Sequence, residues 1–211
     1  MRLPSALARF KRWHGSRISF CEPGNLPGVA DVILLRVGSL GRPDLARRPD
    51  PAATDEKTLD RVYAVNVKAP FFLTAVIAPV MAQAGSGAII NLGSWIARLG
   101  IPVGALYSST KGALETLTRA WAAEFGPHGV RVNAISPGVV LTPALGEVHP
   151  GEVMMRGTPA GRPGNPEAIA SAAVYLASGE AAFVHGSVLD VDGGRTTTAV
   201  IADSARTVRP R

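Results

Sequence analysis

Three residues in the middle of the sequence have the types and spacing for proton chemistry. Tyr107 and Lys111 stand four apart, and Ser94 precedes Tyr107 by thirteen positions. Residues four apart on a helix share a face, so this spacing sets an ammonium beneath a phenol. A phenol with an ordinary pKa of about 10 is a poor base at neutral pH, and a fixed cation beside it favours the phenolate. A hydroxyl such as that of Ser94 can hold a substrate oxygen while the phenol passes it a proton. Asn66 falls at the bend of the preceding helix. There it either binds a water that relays protons from Lys111 or only satisfies backbone groups beside Pro70. Tyr-x-x-x-Lys alone is a common pattern, and its meaning rests on its surroundings.

Those surroundings alternate regularly from Val32 onward. Val32–Leu35, Ala88–Leu92, Val130–Ile135 and Ser187–Val191 are short apolar runs that read as buried strands. Between them, Thr54 can cap a helix whose first turn holds Asp55 and Glu56, acids suited to the positive end of the helix dipole. Helical spacing continues through Leu59, Val62, Tyr63, Asn66 and Val67 to about Gln83, with Pro70 and Pro79 expected to bend the helix or end it early. Tyr107 to Phe125 and Pro166 to Ala177 read as further helices. Strands alternating with helices imply a doubly wound α/β fold, a parallel sheet covered on both faces. Ligands of such sheets bind at the carboxyl ends of the strands, and Ser94 lies just past one of them.

Taken in register, these stretches resemble the short-chain dehydrogenase/reductase family, in the short-form branch of 3-oxoacyl-carrier-protein reductases and glucose dehydrogenases. Asn66-Val67-Lys68-Ala69-Pro70-Phe71 is similar to that family's helix motif, and Ile89-Ile90-Asn91-Leu92-Gly93-Ser94 to its strand into the catalytic serine. Tyr107-Ser108-Ser109-Thr110-Lys111-Gly112-Ala113 resembles its active-site helix. Val132-Asn133-Ala134-Ile135-Ser136-Pro137-Gly138, with Thr142-Pro143, resembles the loop at the nicotinamide, and Asp192-Gly193-Gly194 the closing strand. The resemblance covers about residues 52–200 and implies a Rossmann-like fold with NAD(P) as cofactor. It implies that Tyr107 is the general acid/base and that Ser94 orients the carbonyl. Lys111 would lower the phenol's pKa and bond the nicotinamide ribose, with Asn66 supporting the proton relay. Pro137, Gly138, Val140 and Thr142 would line the nicotinamide side, although Thr142 also suits the cap of a following helix. Trp95 and Ile96 either face substrate or form a lid packed on itself.

The family opens with a strand, a turn of the form T-G-x-x-x-G-x-G and a helix, which bring backbone N–H groups to a pyrophosphate. No run in this sequence has that form. Gly24 and Gly28 lack a third glycine, and Gly85 and Gly87 precede a strand instead of following one. Where the family has N-N-A-G, this chain has Leu35-Arg36-Val37-Gly38. The sheet is therefore expected to lack most of its first βαβ half, with Val32–Leu35 as its first strand and as an exposed apolar edge. Residues 1–51 read as an atypical basic segment, out of frame or wrongly started relative to an intact ancestor. Residues 52–200 read as the catalytic portion of a single domain, and 201–211 as a basic tail.

Composition narrows the remaining function classes. The 211 residues carry a formal charge of +6, but residues 1–50 hold +5, residues 51–205 hold −2 and the last six +3. With no basic stripe, aromatic platform or zinc spacing, this distribution argues against a nucleic-acid partner. The uncharged run 69–97 is broken by prolines, glycines and polar residues, and reads as a buried helix, a turn and a buried strand, not a membrane span. Met1 to Phe20 has the basic composition of a transit peptide without the apolar run of a secretory signal. One cysteine, Cys21, excludes a disulfide framework and a cysteine-based metal site, and points to a reducing cytoplasm. The expected partner is a small carbonyl or alcohol substrate. The family commonly forms tetramers, and the apolar Phe71, Phe72, Val76, Leu114, Leu117 and Trp121 allow a homo-oligomer (dimer or tetramer). Three readings stand: an oxidoreductase moving a hydride between NAD(P)(H) and a carbonyl or secondary alcohol; an impaired member of the fold that only assembles with intact subunits; and a gene fragment without function.

Overall fold

The computed structural model describes residues 51, 54–101, 104–141 and 152–199, together with the backbone of two strands, β1 (Ser19–Phe20) and β2 (Val32–Leu35). A long helical segment follows: α1 (Glu56–Tyr63), a π-helical turn (Ala64–Lys68) and α2 (Ala69–Ala84). Next come β3 (Gly87–Leu92), α3 (Ala105–Phe125) and β4 (Val130–Pro137), then the short α4 (Glu152–Met155), α5 (Pro166–Ala177) and β5 (Val188–Val191). The strands lie in the order β1-β2-β3-β4-β5. From β2 to β5 the pairing is parallel, with Val32 opposite Ala88, Gly87 opposite Val130 and Ala134 opposite Val188.

The doubly wound architecture is therefore present, and residues alternate across it as a buried parallel sheet requires. Ile89, Val130 and Val132 pack on Leu73, Ile77 and Met81 of α2 and on Leu114 and Trp121 of α3. Ile90 and Ile135 face the other way, onto Ala172 and Leu176 of α5. The uncharged run 69–97 resolves into helix, turn and strand as expected. This turn packs closely on the one that leads into β4: Gly129 there has φ +80°, and a Cβ on it would lie 2.1 Å from the Gly85 carbonyl oxygen.

Three details differ from the sequence expectation. Asp55, not Thr54, caps the first helix, its carboxylate accepting the Thr58 N–H at 2.8 Å. Neither proline ends the helix, and helical structure runs unbroken for 29 residues. Pro70 offers no N–H to the carbonyl of Asn66, and the chain widens there into the π turn, with the Ala69 N–H reaching back to Ala64 O. Pro79 and Ala75, whose carbonyl Pro79 leaves unbonded, are both exposed, so water can take that bond. The segment is by length and composition long and apolar enough to cross a membrane. Here its Leu73, Ala78 and Met81 are buried against the sheet. Finally, β2 is not the bare edge: β1 pairs with it antiparallel, Ser19 opposite Leu34 and Phe20 opposite Ile33.

Candidate active site

The carboxyl ends of β3 and β4 meet the start of α3, and the candidate residues converge there. Leaving β3, the Gly93 N–H bonds Ile135 O at 2.7 Å, holding the chain against β4. Ser94 follows in extended conformation and opens a 3₁₀ turn, Trp95–Ala97. Gly104, at φ +69°, starts α3, and the Ser108 hydroxyl donates to Ile96 O at 2.6 Å. The serine turn and the first turn of α3 are thus pinned to each other, which brings the Ser94 side chain close enough to the Tyr107 phenol to influence its ionisation.

Lys111 lies one turn further along α3 and is 1% exposed. Its ammonium donates to Leu92 O at 2.8 Å and sits 5.5 Å from the centroid of the Tyr107 ring. Burial dominates both groups. As a residue Tyr107 is only half-buried, but its phenol is enclosed and pushed up to about 12, with the nearby Ser94 side chain drawing it back. The same enclosure lowers Lys111 to about 8. The phenol is accordingly protonated at neutral pH, set to donate, while the amine is mostly cationic but close to losing its proton.

Asn66 is buried on the π turn. Its Nδ2 donates to Thr110 Oγ1 at 3.2 Å, and that hydroxyl donates to Tyr107 O at 2.7 Å. Its Oδ1 is buried without a hydrogen-bond partner. Asn66 is therefore joined to the Tyr107–Lys111 helix through Thr110. Pro137, Gly138 and Val140 lie at the end of β4. Gly138 donates to Val191 O at 3.0 Å, and a Cβ on it would fall 2.6 Å from Asp192 Cα, so the two strand ends can approach only with glycine here. Val140 bridges to Gly164. Thr142 falls outside the described residues. Trp95 is buried with the Arg195 guanidinium 5.0 Å over its ring.

Other polar groups around the site were given no role of their own in the sequence reading. Asp192 accepts from Gly194 N, Arg195 N, Thr196 N and the Thr196 hydroxyl, organising the loop beyond β5. Those bonds hold its carboxyl below the usual range against the opposing effect of burial. Arg98, at the end of the serine turn, pairs with Asp190 of β5 and lies 3.6 Å from Glu115 of α3. Glu115 follows Lys111 by four positions, the same helical spacing that drew attention to Tyr107 and Lys111. Among the described residues no group of three His, Cys, Asp or Glu is placed to hold a metal ion.

Fold, sheet order and recognisable motifs together define a protein class. The chain belongs to the short-chain dehydrogenase/reductase family: a family model described as enoyl-(acyl carrier protein) reductase matches residues 28–196. It is 41% identical over 174 residues to galactitol 2-dehydrogenase (L-tagatose-forming) of Cereibacter sphaeroides, covering 80% of this chain and 67% of that one. It is 40% identical over 151 residues to the inactive 2-(S)-hydroxypropyl-CoM dehydrogenase 2 of Xanthobacter autotrophicus, covering 68% of this chain and 66% of that one. A gluconate 5-dehydrogenase from Burkholderia cenocepacia, solved with NADP and tartrate, superposes with a TM-score of 0.72 at 31% identity, over 82% of this chain and 67% of that one. The chain spans from 57% to 67% of the length of curated relatives it matches.

Proposed function

We propose that the protein is an oxidoreductase that moves a hydride between NAD(P)(H) and a carbonyl or secondary alcohol. The observation that carries this reading is the buried Lys111 ammonium 5.5 Å from the Tyr107 ring, with the Ser94 side chain close to the same phenol. A phenol, a hydroxyl and an ammonium at one strand end form a donor set that fits a ribose diol and a carbonyl oxygen. The nicotinamide would lie against Pro137, Gly138, Val140 and Thr142, with Tyr107 and Lys111 at its ribose. When bound, the dinucleotide supplies or accepts the hydride.

The chain's own residues handle the proton. In the reducing direction Ser94 donates to the substrate oxygen and fixes its place, and Tyr107, protonated at neutral pH, gives that oxygen its proton. The Lys111 charge then stabilises the phenolate left behind. Asn66, with one buried oxygen unpartnered, holds a water through which that proton is replaced. The reverse reaction uses the same groups with the phenolate as base. A reducing cytoplasm suits the single cysteine. The outer side of α2 and α3 presents Phe71 and Phe72, 45% and 52% exposed, over a groove shared with Val67, Ala113 and Leu117. This face suits a homo-oligomer contact, and Phe71→Ser with Phe72→Ser is expected to lower the mass measured by light scattering.

A second reading has its own support. No glycine-rich phosphate turn occurs in the sequence, and one relative of similar identity carries the name inactive. An impaired member of the family would keep the fold and assemble without turnover. Titration with NADPH and NADH, followed by tryptophan quenching, separates the two, alongside turnover of a panel of secondary alcohols with both oxidised cofactors. Saturable quenching with turnover supports the oxidoreductase; neither signal from a monodisperse, cooperatively melting sample overturns it for the second reading.

A further inference from the structure

Ser94 must meet Tyr107, yet it belongs to a turn between strand and helix, not to either element. On its upstream side the chain is fixed by the Gly93 N–H on Ile135 O. Downstream, within the 3₁₀ turn, Ala97 N bonds Ser94 O at 3.0 Å and Arg98 N bonds Trp95 O at 3.3 Å. The Ser108 hydroxyl on Ile96 O ties the middle of the turn to α3, but none of these bonds ties it to the sheet. That tie comes from Arg98 at its far end. One guanidinium nitrogen donates to Asp190 Oδ2 at 3.0 Å, and the other pairs with Asp190 Oδ1. The remaining Nε lies 3.6 Å from Glu115 Oε1. Asp190 sits in β5, opposite Ser136 of β4, and Glu115 sits one helical turn beyond Lys111. A single side chain thus reaches from the end of the serine turn to the sheet and to the helix that carries the phenol and the amine.

We propose that Arg98 is a positioning residue, a strut between β5 and α3 that keeps the Ser94 hydroxyl within reach of Tyr107. The planar guanidinium suits this because it engages both carboxylate oxygens in one orientation, which a lysine ammonium cannot do. The proposal rests on the functional reading above.

Its test uses the full chain with Arg98→Met, Arg98→Lys and Asp190→Asn, and two readouts. In hydrogen-exchange mass spectrometry, Arg98→Met is expected to speed exchange in the peptide spanning 94–98 by about tenfold while leaving the β4 peptide unchanged. In steady-state kinetics it is expected to lower kcat by ~10- to 100-fold with KM within about twofold, the effect of a displaced reacting group and not of lost substrate contacts. Arg98→Lys is expected to recover part of both, and Asp190→Asn to reproduce them without adding to Arg98→Met in the double variant. Should Arg98→Met fail to fold, Asp190→Asn carries the test. Unchanged exchange at 94–98 overturns the strut. Faster exchange with unchanged kcat overturns its positioning role. A wild type without turnover overturns the functional reading and with it that role, while the exchange data still show whether Arg98 holds the turn.

Discussion

The two faces of the sheet are built from different chemistry. The face under α5 is mostly apolar, with Ile90, Ile135, Ala172, Leu176 and Ala181 filling it and Leu189 and Val191 at its margin, and the polar side chains it holds are bonded: Asn133 donates to Val184 O and Arg131 to the carbonyls that end α5. The face under α2 and α3 has an apolar floor in Leu73, Ile89, Leu114 and Val132, but it also buries Asn66, Thr74, Asn91, Thr110, Lys111, Glu115 and Thr118. Burying polar groups costs stability unless each finds a partner. Several do so only in part, since Asn66 Oδ1, Thr74 Oγ1, Asn91 Oδ1 and Glu115 Oε1 lack hydrogen bonds. One face stabilises the fold; the other carries the cost of a site, and it is the face onto which Tyr107 and Lys111 project.

The contrast can be broken from either side. Leu176→Ala, on the apolar face, is expected to cost about 2–5 kcal/mol in denaturant unfolding and to leave kcat per folded molecule unchanged. A fall in kcat beyond the loss of folded protein would erase the distinction between the faces. Lys111→Met, on the polar face, should go the other way. Lys111 has its folded pKa lowered from 10.5 to about 8, so at neutral pH its charge opposes folding. Removing it is expected to stabilise the protein by up to about 3 kcal/mol below pH 8, at ~1.4 kcal/mol per pKa unit, and to abolish turnover.

The same group sharpens the contrast as a pH dependence. Between about pH 8 and 10.5 the unfolded chain holds a proton on this lysine that the folded chain has lost, so stability rises with pH over that window. Tyr107 acts oppositely: its folded pKa is raised from 10 to about 12, so its contribution is complete below pH 10 and is lost as pH climbs toward 12. Activity should part from stability, with kcat/KM falling above about pH 8 as Lys111 discharges. Urea melts and initial rates across the same buffers check both limbs. A smaller effect is expected at Thr118, whose hydroxyl receives the Asn91 side-chain N–H at 2.8 Å. Thr118→Val leaves that amide buried without its acceptor and should cost about 1–3 kcal/mol by thermal melting, with kcat unaltered.

Much of this was legible in the sequence, for reasons that differ by element. The strands and α3 announce themselves because a parallel sheet buried on both sides demands unbroken apolar runs, and good helix formers between Gly104 and Gly126 leave no competing reading. Asn66, Tyr107 and Lys111 lie on helical segments and Ser94 two residues past the end of β3, so their spacing translated into proximity. The π turn did not read through, because nothing in Asn66-Val67-Lys68-Ala69-Pro70 says whether proline will break a helix or widen it; packing against α3 decides. Asp55 displaced Thr54 as the cap within the ordinary uncertainty of helix ends. The Arg98–Asp190 pair joins residues 92 apart, and only the register of β4 with β5 brings them together. The two-residue β1 carries too little pattern to be seen before its partner strand is known.

On the function proposed above, Tyr107 gives the substrate oxygen its proton, with Ser94, Lys111 and Asn66 in support. The most direct test compares wild type with Tyr107→Phe, following the absorbance of reduced nicotinamide with an alcohol that the wild type turns over, and checking both proteins by circular dichroism. Turnover reduced by about a thousandfold in a variant that melts like wild type is the expected result. A folded Tyr107→Phe that keeps the wild-type rate would contradict it.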